Sequence, residues 1–179
     1  MQIFVPFANP KFNALCLDDK RVVKMCTETA QILSTVMYLN EMSNLKAPYK
    51  PTHIFHPCVK WAAASVENYA WLCDYFVALH NVYTERYHKI HACAQHAKVF
   101  YDYCMFMRSR NHPVPLTPFA NVTKDFKHIE DVHEAYRRQL VRKWRNDKRT
   151  PRWRKHSLRT KLATGDRIKS FTAWLEVFK

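Results

Sequence analysis

Gly165 is the only glycine in a chain of 179 residues. β-Hairpins, dinucleotide-binding turns and P-loops all need backbone at positive φ or pressed against a phosphate, positions that a Cβ obstructs. A chain without that residue to spend is expected to be all-α. With 47% hydrophobic residues it has enough apolar surface to build a core, which excludes a disordered chain. The expected architecture is a compact single-domain helical bundle with a short extended N-terminal segment and a basic C-terminal region. The helical core covers 1–145, and 146–179 form a basic stretch and a C-terminal helix that docks on the same domain.

The first elements read clearly. Residues 1–7 (Met-Gln-Ile-Phe-Val-Pro-Phe) form an extended piece, possible as a lone edge strand, and Asn9-Pro10 turns the chain. A helix runs from about Asp18 to Met37, capped by Asp18 or Asp19. Its apolar face is Val22, Met25, Cys26, Thr29, Leu33 and Val36. Lys20, Lys24, Glu28, Gln31 and Thr35 form a polar stripe flanked by Arg21, and such a stripe is either a solvated face or one wall of a site.

A second helix starts at Pro57, where a missing N–H costs nothing. Its pattern runs past Leu79 toward Phe106, too long for a compact domain, so a break is expected between Leu79 and His88. Pro113, Pro115 and Pro118 stiffen the next loop. A further helix spans about Ile129 to Trp144, with Val132, Ala135, Tyr136 and Leu140 inward. The amphipathic stretch from Asp166 to Lys179 is expected to dock through Ile168, Phe171, Trp174, Leu175 and Phe178.

The net charge of +14 and pI of about 9.7 point to a polyanionic partner, nucleic acid first and an anionic membrane surface second. The densest run holds Arg145, Lys148, Arg149, Arg152, Arg154, Lys155, Arg159 and Lys161, with Trp153 inside it. Such residues neutralise phosphates, and an interleaved indole can stack on a base; the alternative is a solvated basic linker. No apolar run has the length of a membrane span, and no signal-peptide pattern opens the chain. The expected location is therefore the cytoplasm, that of a host cell if the chain is phage-encoded.

Candidate chemistry gathers between Tyr49 and Trp61, where His53, His56 and Cys58 crowd into a loop-to-helix junction. The helix then carries Trp61, Ser65 and Asn68 on one face, at offsets of four and three. The His-x-x-His-x-Cys spacing does not match a four-ligand zinc site. His88, His91 and His96 are not paired with it by spacing, so no metal and no cofactor are expected. Cys16, Cys26, Cys58, Cys73, Cys93 and Cys104 are scattered without CxxC pairs, as buried reduced thiols would be.

Three stretches carry a resemblance. Leu17 to Met25 with Glu28-Thr29-Ala30-Gln31, then Tyr49-Lys50-Pro51-Thr52-His53 with His56-Pro57-Cys58, then Tyr83-Thr84-Glu85-Arg86-Tyr87 resemble a family of small phage-encoded proteins. Lys24, Glu28, Tyr49-Lys50 and His56-Pro57 are also similar to the pyrimidine dimer DNA glycosylases of the endonuclease V type. That resemblance implies an all-α fold, a first helix with a catalytic glutamate, and attack on the sugar by an N-terminal amine freed when Met is removed. Gln2 is large, so Met1 is expected to stay, which favours a water-based, monofunctional mechanism.

The expected function is a DNA N-glycosylase that flips out a damaged or modified pyrimidine and hydrolyses its glycosidic bond. Glu28, His53 and His56 are the expected catalytic residues. Lys20, Arg21, Lys24, Gln31, Trp61, Ser65, Asn68, Tyr83 and Arg86 would bind the substrate. Arg145, Lys148, Arg149, Arg152, Trp153, Arg154, Lys155, Arg159 and Lys161 would bind nucleic acid, expected to be double-stranded DNA. The alternative is a non-enzymatic basic helical phage protein that binds nucleic acid and acts on a host complex.

Overall fold

The computed structural model describes residues 1–40, 45–110, 112 and 114–154. The protein is all-α, with no strand among the described residues. Among those residues six helices follow in order: α1 (Pro10–Cys16), α2 (Asp19–Leu39), α3 (Pro57–Ala64), α4 (Val66–Tyr87), α5 (Ala97–Arg110) and α6 (Val132–Arg145), with a 3₁₀ turn over Ala92–His96 before α5. α4 is the central element, in contact with α1, α2, α3 and α5. No described helix is long and apolar enough to cross a membrane. All six cysteines are buried free thiols.

Local chemistry sets the boundaries. Asn9-Pro10 turns the chain and also starts α1: the Asn9 side chain accepts the Lys11 N–H at 2.9 Å, and Pro10 takes the first turn. α2 begins after Asp18, and every residue of its expected apolar face is buried. The expected second helix breaks at the end of the Leu79–His88 window, where α4 stops at Tyr87, and also earlier, at Ser65. Ser65 adopts φ −154° and ψ 159°, and its hydroxyl accepts the Asn68 N–H at 3.1 Å. One residue thus ends α3 and caps α4, so Trp61, Ser65 and Asn68 share no continuous helical face. α4 then ends at His88, in the left-handed region at φ 53°.

Ile3, Phe4 and Val5 are buried without forming a strand or a helix. Side chains from α6 satisfy that backbone instead: a His133 ring nitrogen donates to Val5 O at 2.7 Å, and Arg137 donates to Pro6 O at 3.0 Å. Beyond α6 the chain returns over the start of α2, where the Asp19 N–H donates to Arg152 O at 2.8 Å. The expected C-terminal helix, with Lys155, Arg159 and Lys161, lies outside the described residues.

Candidate active site

The N-terminal segment, the first turns of α2 and the last turns of α6 enclose an open cavity of about 480 Å³. Met1 and Gln2 enter it from the N-terminal segment, Lys20, Arg21, Lys24 and Glu28 from α2, and Gln139, Arg142 and Lys143 from α6. The α2 members follow helical periodicity, since residues three and four apart stack on one face. Their exposure divides them: the side chains of Lys20 and Lys24 are 74% and 69% exposed, those of Arg21 and Glu28 10% and 11%.

Glu28 is the best-enclosed carboxylate of the cavity. Lys24 Nζ lies 3.1 Å from its Oε1, and the Met1 α-amino nitrogen lies 3.9 Å from its Oε2. Arg21 Nη1 spans Asp18 Oδ1 at 2.7 Å and Asp147 Oδ2 at 2.8 Å, while Lys20 reaches Asp147 Oδ1 at 3.1 Å. Burial raises the Asp147 carboxyl, and the hydrogen bonds from Arg21 and Lys20 outweigh it and hold the group below the usual carboxylate range. Asp18 Oδ1 also accepts the Trp144 indole N–H at 2.8 Å, tying α6 to α2. Partial burial first, then Arg21 and Lys24, lower Lys143 below the usual lysine range, against the pull of Asp147 and Glu28.

His56 stands beside this group. Its partial burial, the Met1 amine and His53 lower it, and Glu28 pulls the other way. Its Nδ1 accepts the Cys58 N–H at 3.1 Å, so the ring caps α3 and is held in orientation. Thr52 anchors the junction to α2 through its N–H, which donates to Thr35 Oγ1 at 3.2 Å. His53 is exposed at φ 52°, with its Nδ1 2.7 Å from the Thr52 hydroxyl. A carboxylate between an amine and an ammonium can stabilise a developing cation or polarise a nucleophile. The surrounding cations suit phosphate.

Neither His53 nor His56 lines this cavity, and the other expected site residues outside the first turns of α2 do not line it either. Gln31 is partly buried on α2, and its carbonyl accepts the Thr35 hydroxyl at 2.7 Å. Trp61 packs edge-on against Trp71 and at a tilt against Phe119. Asn68, fully buried, donates to Trp61 O at 2.6 Å and to Thr117 Oγ1 at 2.7 Å, and accepts the Thr117 N–H at 2.9 Å. Tyr83 stacks on Tyr87 at 4.7 Å. Arg86 is 4% exposed; it donates to Leu17 O at 2.7 Å, Leu15 O at 3.0 Å and Asp19 Oδ1 at 3.2 Å, clamping the α1–α2 junction to α4.

In the basic stretch Arg145, Lys148, Arg149, Arg152 and Arg154 are exposed. Trp153 turns inward: its ring meets Trp144 edge-on at 5.1 Å, and its indole N–H donates to Cys16 O at 3.0 Å. Arg154 lies over the Tyr87 ring at 4.5 Å. Gln139, Arg142 and Lys143 were not expected in the site. Their signal was the offset of four between Gln139 and Lys143, beside the inward positions of α6. Metal-ligating side chains converge elsewhere, at Cys26, His80 and His91.

An all-α protein with a carboxylate-centred, cation-rimmed cavity is the class that fold and site define. The family model for pyrimidine dimer DNA glycosylase matches residues 1–95, more than half of the chain, and the protein belongs to that family. At family level this is DNA glycosylase chemistry with DNA as substrate. Neither a curated protein nor a solved structure matches the chain.

Proposed function

We propose that the protein removes a damaged or modified pyrimidine from double-stranded DNA in the cytoplasm by flipping the nucleotide into the Glu28 cavity and hydrolysing its glycosidic bond. The observation that carries this reading is the nearly enclosed Glu28 carboxylate in a basin rimmed by Lys20, Arg21, Lys24, Arg142 and Lys143. A sugar losing its base gains positive charge, and a fixed carboxylate stabilises that charge more in the transition state than in the ground state. Glu28 also orients the attacking water. His56, uncharged at neutral pH, grips the departing base edge. The rim cations hold the flanking phosphates.

The Met1 nitrogen, 3.9 Å from Glu28 Oε2, favours a second route. In it the amine attacks C1′, the base leaves, and the sugar opens to an imine. Duplexes bearing defined modified pyrimidines, incubated with and without borohydride, separate the two. Hydrolysis yields alkali-sensitive abasic sites and no adduct; amine attack yields a trapped adduct on the Met1 peptide. A duplex panel with no base released from any member would overturn both.

A further inference from the structure

Cys26 and Glu28 are two residues apart on α2, so their side chains leave the helix about 200° apart. Glu28 faces the cavity. Cys26, fully buried, faces α4 and the 3₁₀ turn, where it meets His80 and His91. One ligand atom from each of the three lies within 4.8 Å of the others.

His80 is set up as a ligand. Its Nδ1 lies 2.7 Å from Phe76 O, and a carbonyl only accepts, so Nδ1 carries the proton and Nε2 keeps its lone pair. Nε2 is buried with no hydrogen-bond partner among the described residues, and the residue is 7% exposed. A buried ring nitrogen without a partner is costly unless something meets it. His91 stands edge-on to His80 at 5.5 Å and is only partly buried, leaving a path from solvent. Its Nδ1 accepts the Cys93 N–H at a long 3.3 Å. That hydrogen bond is given up if either nitrogen binds a cation, because ligation through Nε2 requires the proton on Nδ1.

We propose that Cys26, His80 and His91 form a site for a zinc-class divalent cation, with solvent as the fourth ligand. One thiolate and two imidazoles suit zinc better than they suit magnesium or calcium, which take oxygen donors. Zinc bonds of about 2.0–2.3 Å place tetrahedral donors roughly 3.3–3.8 Å apart. The three side chains close by up to about 1.5 Å on loading, within reach of side-chain rotations. Cys26 enters as a thiol and releases its proton to solvent, one per ion bound. The ion would link α2, α4 and the 3₁₀ turn, fixing the rotation of α2 that points Glu28 into the cavity. Sequence spacing hides the group because its members come from three elements.

The test is cobalt(II) titration of the chelator-stripped full-length protein, with zinc competition and melting temperature measured alongside. The expected result is one equivalent of cobalt, a thiolate charge-transfer band, the strong visible bands of a tetrahedral ion, and displacement by zinc. Cys26→Ser should lose the charge-transfer band. His91→Asn, which can still cap the 3₁₀ turn, should weaken binding by at least roughly 10–100-fold and lose the zinc-induced rise in melting temperature. His88→Asn, an exposed neighbour at a left-handed position that Asn tolerates, should bind like the parent. A folded parent with no thiolate band overturns the site. So does cobalt binding unchanged in both Cys26→Ser and His91→Asn.

Discussion

The α-amino nitrogen of Met1 stands 3.9 Å from Glu28 Oε2, opposite the Lys24 ammonium at 3.1 Å from Oε1. One carboxylate is thus held between two cations, one of them 69% exposed and movable. Glu28→Gln keeps the shape and removes the charge. Base release should fall by at least about 100-fold, the low end of what a positioned acid–base group contributes. Duplex affinity and melting temperature should stay close to the parent. Release at the parent rate would remove Glu28 from the chemistry.

His56 gives a separate check on the same charges. Its partial burial, the Met1 amine and His53 lower it below the ordinary histidine value of about 6.5, and only Glu28 raises it. Proton resonances of the ring across pH should therefore titrate low, and lower still in Glu28→Gln. A folded value below the unfolded one means the unfolded chain binds more protons in that range. The contribution of His56 to stability is present above about pH 6.5 and fades as pH falls through its folded value. On acidification the denaturant midpoint of the parent should fall relative to that of His56→Asn; a parent that gains on the variant would reverse the sign.

Asn68 should behave as a structural residue. Asn68→Ala strands the buried Trp61 carbonyl, at a cost of about 1–3 kcal/mol, and the part-buried Thr117 N–H. Urea denaturation should show a loss of that order, while base release per folded molecule stays near the parent value. A catalytic defect with unchanged stability would return Asn68 to the site.

Lys148, Arg149 and Arg152 are exposed on the segment that returns over α2. Charge reversal at these positions should flatten the salt dependence of duplex binding, by about 0.9 in log–log slope for each phosphate no longer neutralised. Trp153→Phe should instead lower the melting temperature and leave the slope alone, because its indole holds Cys16 O and Trp144. An unchanged slope in the charge-reversal variant would mean the segment does not touch the backbone of DNA.

What the amino-acid order reveals by itself follows the range of each interaction. The α2 face, the Asp18 start and the Pro57 start are local, governed by periodicity and caps within a turn or two. The Lys24–Glu28 pair is equally local. Ser65 escapes notice because an apolar pattern continues through it, and a serine becomes a helix start only when its hydroxyl finds the Asn68 N–H. Arg86 and Trp153 read as ligand-binding residues because both types suit nucleic acid; what decides their position is carbonyl partners far along the chain. Gln139 and Lys143 lie in a helix correctly located, yet nothing local says that its polar edge closes a cavity begun by residue 1.

Asp18 accepts from Trp144 across 126 positions, and Arg21 pairs with Asp147 across the same span. These bonds hold the front of α2, where Lys20 and Arg21 face the cavity. During synthesis that face must wait: at roughly 5–20 residues per second, most of the chain has left the ribosome before Asp147 exists. Pairings of such sequence separation close late and slow folding. A nascent or prematurely ended chain therefore carries the glutamate without its completed basin, and competence arrives only with the segment that folds back over the helix it serves.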